Sequence, residues 1–128
     1  MERFPHQRFV LDHLAKPPVK SGNIDSWAQG IKRLAAFPNV FCKLSGLVTE
    51  ADWRAWKPEQ IIPFLDLSFK SFGGERLMIG SDWPVCLVAA SYAQALEVVT
   101  SYVFRHKPEF QDGVLGGNAQ RFWRLTAG

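Results

Sequence analysis

Residues 77–86 read LMIGSDWPVC. An apolar run, Leu77-Met78-Ile79, meets Gly80 and Ser81, then a single carboxylate, Asp82, and the pair Trp83-Pro84. The run is too short for a helix and carries no charge until its end. That is the pattern of a buried strand closed by a turn. A buried strand that ends in an acid directs attention to what the acid does.

Two other stretches repeat the pattern. They are RFVLDHLAKPP at 8–18 and NVFCKLSGL at 39–47. Val10, Val40 and Ile79 add β-branching. Helical periodicity fills the intervals. In 25–36, Trp27, Ile31, Leu34 and Ala35 fall on one face, with Asp25 or Ser26 as the expected cap and Pro38 as a stop. In 58–72, Ile61, Ile62, Leu65, Phe69 and Phe72 form one stripe between Pro58 and Gly73-Gly74, and Pro63 is tolerated near the first turn. In 91–105, the expected stripe is Tyr92, Ala95, Leu96, Val99 and Val103. A last helix follows Gly116-Gly117, with Asn118 as its expected cap. Strand–helix alternation at this spacing predicts parallel βαβ units. Sites in such folds gather at the C-terminal ends of the strands. The extended connection at 47–57 belongs to that end.

Composition narrows the function. The chain has 128 residues, 47% hydrophobic and 21% charged, which suits one globular domain or part of one. A net charge of +3, with lysines and arginines scattered, gives no nucleic-acid footprint. No apolar run reaches transmembrane length and the N-terminus lacks a leader-like apolar region, so the expectation is a cytoplasmic protein with no membrane role. Cys42 and Cys86 are too few for a disulfide framework and sit in no zinc-type spacing. They read as reduced, buried thiols. Ten Phe, five Trp and two Tyr are many for this length and suit a core, a pocket wall or an interface.

At the strand ends the first run gives Asp12 and His13, the second Lys43, Ser45 and Gly46, the third Ser81 and Asp82. If the strands are parallel neighbours, His13, Lys43, Ser45 and Asp82 open on one surface. A histidine beside a carboxylate there is an acid–base or metal-binding pair. Plainer readings compete. His13 can be a hydrogen-bonded core histidine, and Asp82 can cap a Ser-Asp-Trp-Pro turn. Lys43 reads first as the partner of a carboxylate. Ser45 lacks the elbow motif of a nucleophilic serine. His6 and His106 read as surface residues, and Trp53 and Trp56 as lid or packing residues. A catalytic zinc normally needs three protein ligands. The sequence has three histidines and no H-x-H, so His13 and Asp82 make an incomplete metal site at most.

VLDHLAKPPVKSG, FPNVFCKLSGLVTEADW, FGGERLMIGSDWPVCLVAASY and VLGGNAQRFWRL together resemble the C-terminal part of the amidohydrolase-related lactonases, nearest in kind to bacterial L-fuconolactonase-type enzymes. The likeness runs from about Phe9 to Leu125. It implies an α/β fold: a partial TIM (β/α)8 barrel, about three C-terminal βα units plus a closing helix, occupying residues 1–128. It also implies hydrolysis of a sugar-acid lactone. Asp82 and His13 become the catalytic candidates, Lys43, Ser45, Trp53 and Trp83 the substrate-binding candidates, and a divalent metal such as zinc, or no metal, the cofactor. The family's first strand carries an H-x-H pair that this sequence lacks, which leaves two other expectations open. One is a metal-dependent decarboxylase relative; the other is a non-catalytic barrel fragment serving as an assembly module. Three strands of an incomplete barrel have two open edges and an uncovered inner face. The expectation is therefore a homo-oligomer or a complementary N-terminal barrel half.

Overall fold

The computed structural model describes residue 1 and residues 3–125. Strands β1 (Phe9–Leu11), β2 (Val40–Leu44) and β3 (Leu77–Ile79) form one parallel sheet in the order β1-β2-β3. Helices α1 (Asp25–Ala35), α2 (Pro58–Phe72) and α3 (Tyr92–His106) follow the strands in turn, and α4 (Asn118–Trp123) closes the described chain. The expected order of elements is the observed one.

Register sorts the strand residues into two faces. Phe9 pairs with Val40, Leu11 with Cys42, Cys42 with Leu77 and Leu44 with Ile79. This set faces α1 and α2, and Val40, Cys42, Leu44 and Leu77 are fully buried. Trp27, Ile31, Ile61, Phe64, Leu65, Phe69 and Val99 complete that core. The opposite face carries Val10 paired with Phe41, and Lys43 paired with Met78.

Part of that second face is covered by α4, while Val10 and Phe41 stay only half-buried. Phe122 of α4 packs edge-on against Phe41 with ring centres 5.0 Å apart, and Trp123 lies 6.0 Å from the Lys43 ammonium. Met78 is 1% exposed. Arg8 ties the far end down by donating to the Arg121 carbonyl at 2.6 Å. Strands β1 and β3 remain the edges of the sheet.

Helix ends follow local chemistry, with two corrections. Ser91 and Gln94 form a reciprocal capping box on α3, and Pro58 opens α2. Neither Asp25 nor Ser26 caps α1. Its N-cap is Ile24 without a side-chain bond, while Asn23 accepts from the Asp25 amide at 3.4 Å. Asn118 is not a cap either. A π-helical turn, Gly113–Gly117, runs straight into α4, so Asn118 lies inside a continuous helical path. Its buried amide donates to the carbonyls of Gly74 and Leu77, both at 2.7 Å, which pins the closing helix to the entry of β3. Tyr92 is exposed rather than part of the α3 stripe, and Tyr102 takes the buried aromatic position. At the other end of the sheet, Arg76 donates to the carbonyls of Ala35, Phe37, Val40 and Phe72, joining the ends of α1 and α2 to the start of β2. No described helix is long and apolar enough to cross a membrane.

Candidate active site

Strand alternation accounts for much of the site. Asp12, Lys43, Ser45, Gly80 and Asp82 share the parity of Val10, Phe41 and Met78, the face away from the helices. Lys43 Nζ lies 3.0 Å from Asp12 Oδ1, an ion pair between neighbouring strands. A Cβ at Gly80 would stand 3.1 Å from Ser45 Cβ, so the third strand passes close beneath the serine.

His13 has the other parity, and a continued strand would aim it at the helices. Instead His13, Leu14, Ala15 and Lys16 all adopt left-handed backbone, with φ of 47°, 52°, 53° and 54°. Left-handed geometry costs non-glycine residues about 1–2 kcal/mol each, so the turn has to be held by its surroundings. Leu14 is fully buried in the core. The Trp27 indole donates to the Leu14 carbonyl at 2.7 Å, and the Lys16 amide to the His13 carbonyl at 2.9 Å.

The turn carries the imidazole to the same side as Asp82. His13 Nδ1 is 2.8 Å from Ser45 Oγ, Nε2 is 3.4 Å from Asp82 Oδ1, and Nε2 is 3.2 Å from Asp12 Oδ2. A proton on Nε2 faces both carboxylates and leaves Nδ1 to accept from the Ser45 hydroxyl. Asp82 is the more enclosed carboxylate, with 13% of its side chain exposed against 52% for Asp12. Asp82 itself has φ 59°. Gly46, at φ +66°, makes room for the pair. A Cβ there would stand 2.9 Å from His13 Cβ and 3.4 Å from Asp82 Oδ2. Thr49 donates to the Gly46 carbonyl at 2.8 Å and lies 3.5 Å from Asp82 Oδ2. Beneath the turn, Cys42 lies against the Leu14 backbone, and burial pushes its thiol up to about 12, so it stays neutral.

The structure therefore brings together His13, Asp82 and Ser45, with Lys43 joined through Asp12. Ser45 is buried and engaged with His13, which makes it a support for the imidazole rather than an open contact. The tryptophans stand at the rim. Trp53 is exposed and donates to the Thr49 carbonyl at 2.9 Å, one residue removed from Asp82. Trp83 follows Asp82 and is 63% exposed. Trp56 packs inward and donates to the Ala89 carbonyl at 2.8 Å. Sequence reasoning did not assign Asp12, Gly46 or Thr49. The pairing of Asp12 with Lys43 depends on the register of β1 against β2, and Gly46 and Thr49 carry no signal before the chain is folded.

Two ligands of one tetrahedral zinc, each about 2.0–2.2 Å from the metal, stand about 3.3–3.6 Å apart. The His13–Asp82 separation of 3.4 Å fits that spacing. Among the described residues no group of three His, Cys, Asp or Glu side chains converges to hold an ion. This chain thus offers two donors of such a set.

The site is thus a histidine–carboxylate pair gathered at the C-terminal ends of parallel strands. Residues 1–125 match the family described as amidohydrolase, and the chain belongs to that family. It is 43% identical to an L-fucono-1,5-lactonase of Burkholderia multivorans over 91% of this chain and 43% of that protein. It is 40% identical to an L-fucono-1,5-lactonase of Burkholderia ambifaria over 96% of this chain and 43% of that protein. A crystal structure of an amidohydrolase from Burkholderia multivorans with bound zinc superposes with a TM-score of 0.88 at 40% identity, covering 98% of this chain and 46% of that one. The chain spans less than half the length of these relatives.

Proposed function

We propose that this chain is the C-terminal portion of a (β/α)8-barrel hydrolase that opens a sugar-acid lactone of the L-fuconolactone kind. It would act once further strands complete its site, supplied by a complementary barrel segment or by another copy. The observation that carries the reading is the His13–Asp82 pair, Nε2 to Oδ1 at 3.4 Å, at the strand ends. The 43% identity to an L-fucono-1,5-lactonase supports the substrate class.

In this reading Asp82 takes a proton from a water whose oxygen attacks the lactone carbonyl carbon. Charge on the resulting oxyanion is balanced by His13 and neighbouring donors. The ring carbon–oxygen bond then breaks, and Asp82 returns its proton to the departing ring oxygen, giving the hydroxy acid. What a bound divalent cation supplies is polarisation of the carbonyl, and His13 and Asp82 are the donors this chain offers it. The Ser45 contact with Nδ1 then fixes the ring from behind. Lys43 and Asp12 offer charged partners to substrate hydroxyls, and Trp53 and Trp83 an apolar wall for the sugar face.

The test is hydrolysis of L-fucono-, L-rhamnono- and D-galactono-lactones, followed with a pH indicator. It is run on the purified chain and on a chimera in which this chain replaces the matching part of the Burkholderia multivorans lactonase. Turnover by the chimera that Asp82→Asn removes is the expected result. A folded chimera that opens none of these lactones would overturn the proposal.

A further inference from the structure

Trp27 lies on α1, on the far side of the sheet from Asp82, yet its indole reaches the segment that aims His13. By strand alternation, position 13 belongs with Phe9 and Leu11, which face the helices. The left-handed turn over His13–Lys16 reverses that direction and delivers the imidazole to Ser45 and Asp82. None of the four residues in the turn is glycine, so local preference opposes the geometry. Two features oppose that preference at Leu14. Its side chain is fully buried, and its carbonyl accepts the buried Trp27 N–H at 2.7 Å. The Trp27 ring is itself fixed, edge-on to Phe64 with centres 5.2 Å apart.

We infer that Trp27 is a positioning residue: its N–H bond to the Leu14 carbonyl holds the left-handed turn that swings His13 across the sheet to Ser45 and Asp82. The inference rests on the reading of His13 as part of the reaction centre, but the turn can be tested without any substrate.

The experiment compares three forms of the full chain. Trp27→Phe keeps an aromatic ring against Phe64 and removes the donor. A benzothiophene analogue placed at Trp27 keeps the indole's shape without its N–H, which guards against a packing defect in the phenylalanine variant. Phe64→Leu loosens the ring contact and keeps the donor. The first readout is the imidazole nitrogen spectrum, with His13 identified by a His13→Asn variant. Expected is a shift of the His13 signals toward those of exposed His6 and His106 in both donor-less forms. Phe64→Leu should leave them in place while lowering Tm. The second readout, in the chimera, is a loss of about a hundredfold in kcat with KM little changed. His13 signals that stay at their original positions in the benzothiophene form would overturn the inference, as would an equal shift in Phe64→Leu. A His13 shift with no lactone turnover in the parent chimera would retain the positioning role and remove the lactonase reading.

Discussion

Ser45 Oγ stands 2.8 Å from His13 Nδ1, across two neighbouring strands, with the serine 3% exposed. The hydroxyl has little freedom to serve anything else. Ser45→Ala should lower lactone turnover about tenfold to a hundredfold by loosening the imidazole. It should cost only about 1 kcal/mol of stability, the net worth of one such bond. Parallel kinetics and urea unfolding of the two forms check this. A large stability loss with unchanged turnover would assign Ser45 to the core alone.

Gly46 is the second support. An alanine Cβ would approach His13 Cβ to 2.9 Å at a backbone φ of +66°. Gly46→Ala should destabilise the chain by about 1–2 kcal/mol through the left-handed backbone and also displace the His13 signals in the imidazole spectrum. Gly22, also at positive φ but with open space around its Cβ, is the control. Gly22→Ala should bring the backbone cost and leave His13 where it is.

Arg76 should matter to stability and not to chemistry. Its guanidinium holds four carbonyls at the end of the sheet opposite the site. Arg76→Met should cost about 3 kcal/mol, because it leaves carbonyls without partners. The urea midpoint should fall with the slope unchanged.

Alkaline pH should expose the buried thiol under the His13 turn. Cys42 has an ordinary value of 9.0, and in the folded chain burial raises it to about 12. Below pH 9 both folded and unfolded chains keep this proton. Between 9 and 12 only the unfolded chain releases it, so stability falls as pH rises, by up to about 1.4 kcal/mol per pH unit. Desolvation and the Asp66 carboxylate also raise Tyr102 above its usual 10, which adds to the fall beyond that pH. Cys42→Ala should lower stability at pH 7 and flatten its decline from pH 9 upward, measured as Tm across the range.

Much of this architecture was open to sequence reading because it rests on local signals. Apolar runs of strand length, amphipathic stripes and Pro or Gly punctuation marked the strands and helices near their observed limits. Asp82 was visible as the acid after a buried strand. Asp12 was legible only as a residue at the end of the first run; its pairing with Lys43 follows from the register of β1 on β2. The handedness of residues 13–16 was not legible, since Leu14 and Ala15 disfavour it and the bond that holds it comes from Trp27, thirteen residues beyond Leu14. Asn118 was misread for a related reason. Its sequence position after Gly117 suits a cap, but its amide is drawn inward by two carbonyls near β3. In both places a tertiary partner overrides the local preference.

The role of Asp82 is tested most directly by the initial rate of L-fucono-1,5-lactone hydrolysis by the chimera, with and without Asp82→Asn, both forms confirmed folded. Removing a general base typically costs two to four powers of ten, so a fall of at least about a hundredfold is predicted. An unchanged rate in the folded Asp82→Asn chimera would contradict the assignment of the water-activating carboxylate to Asp82.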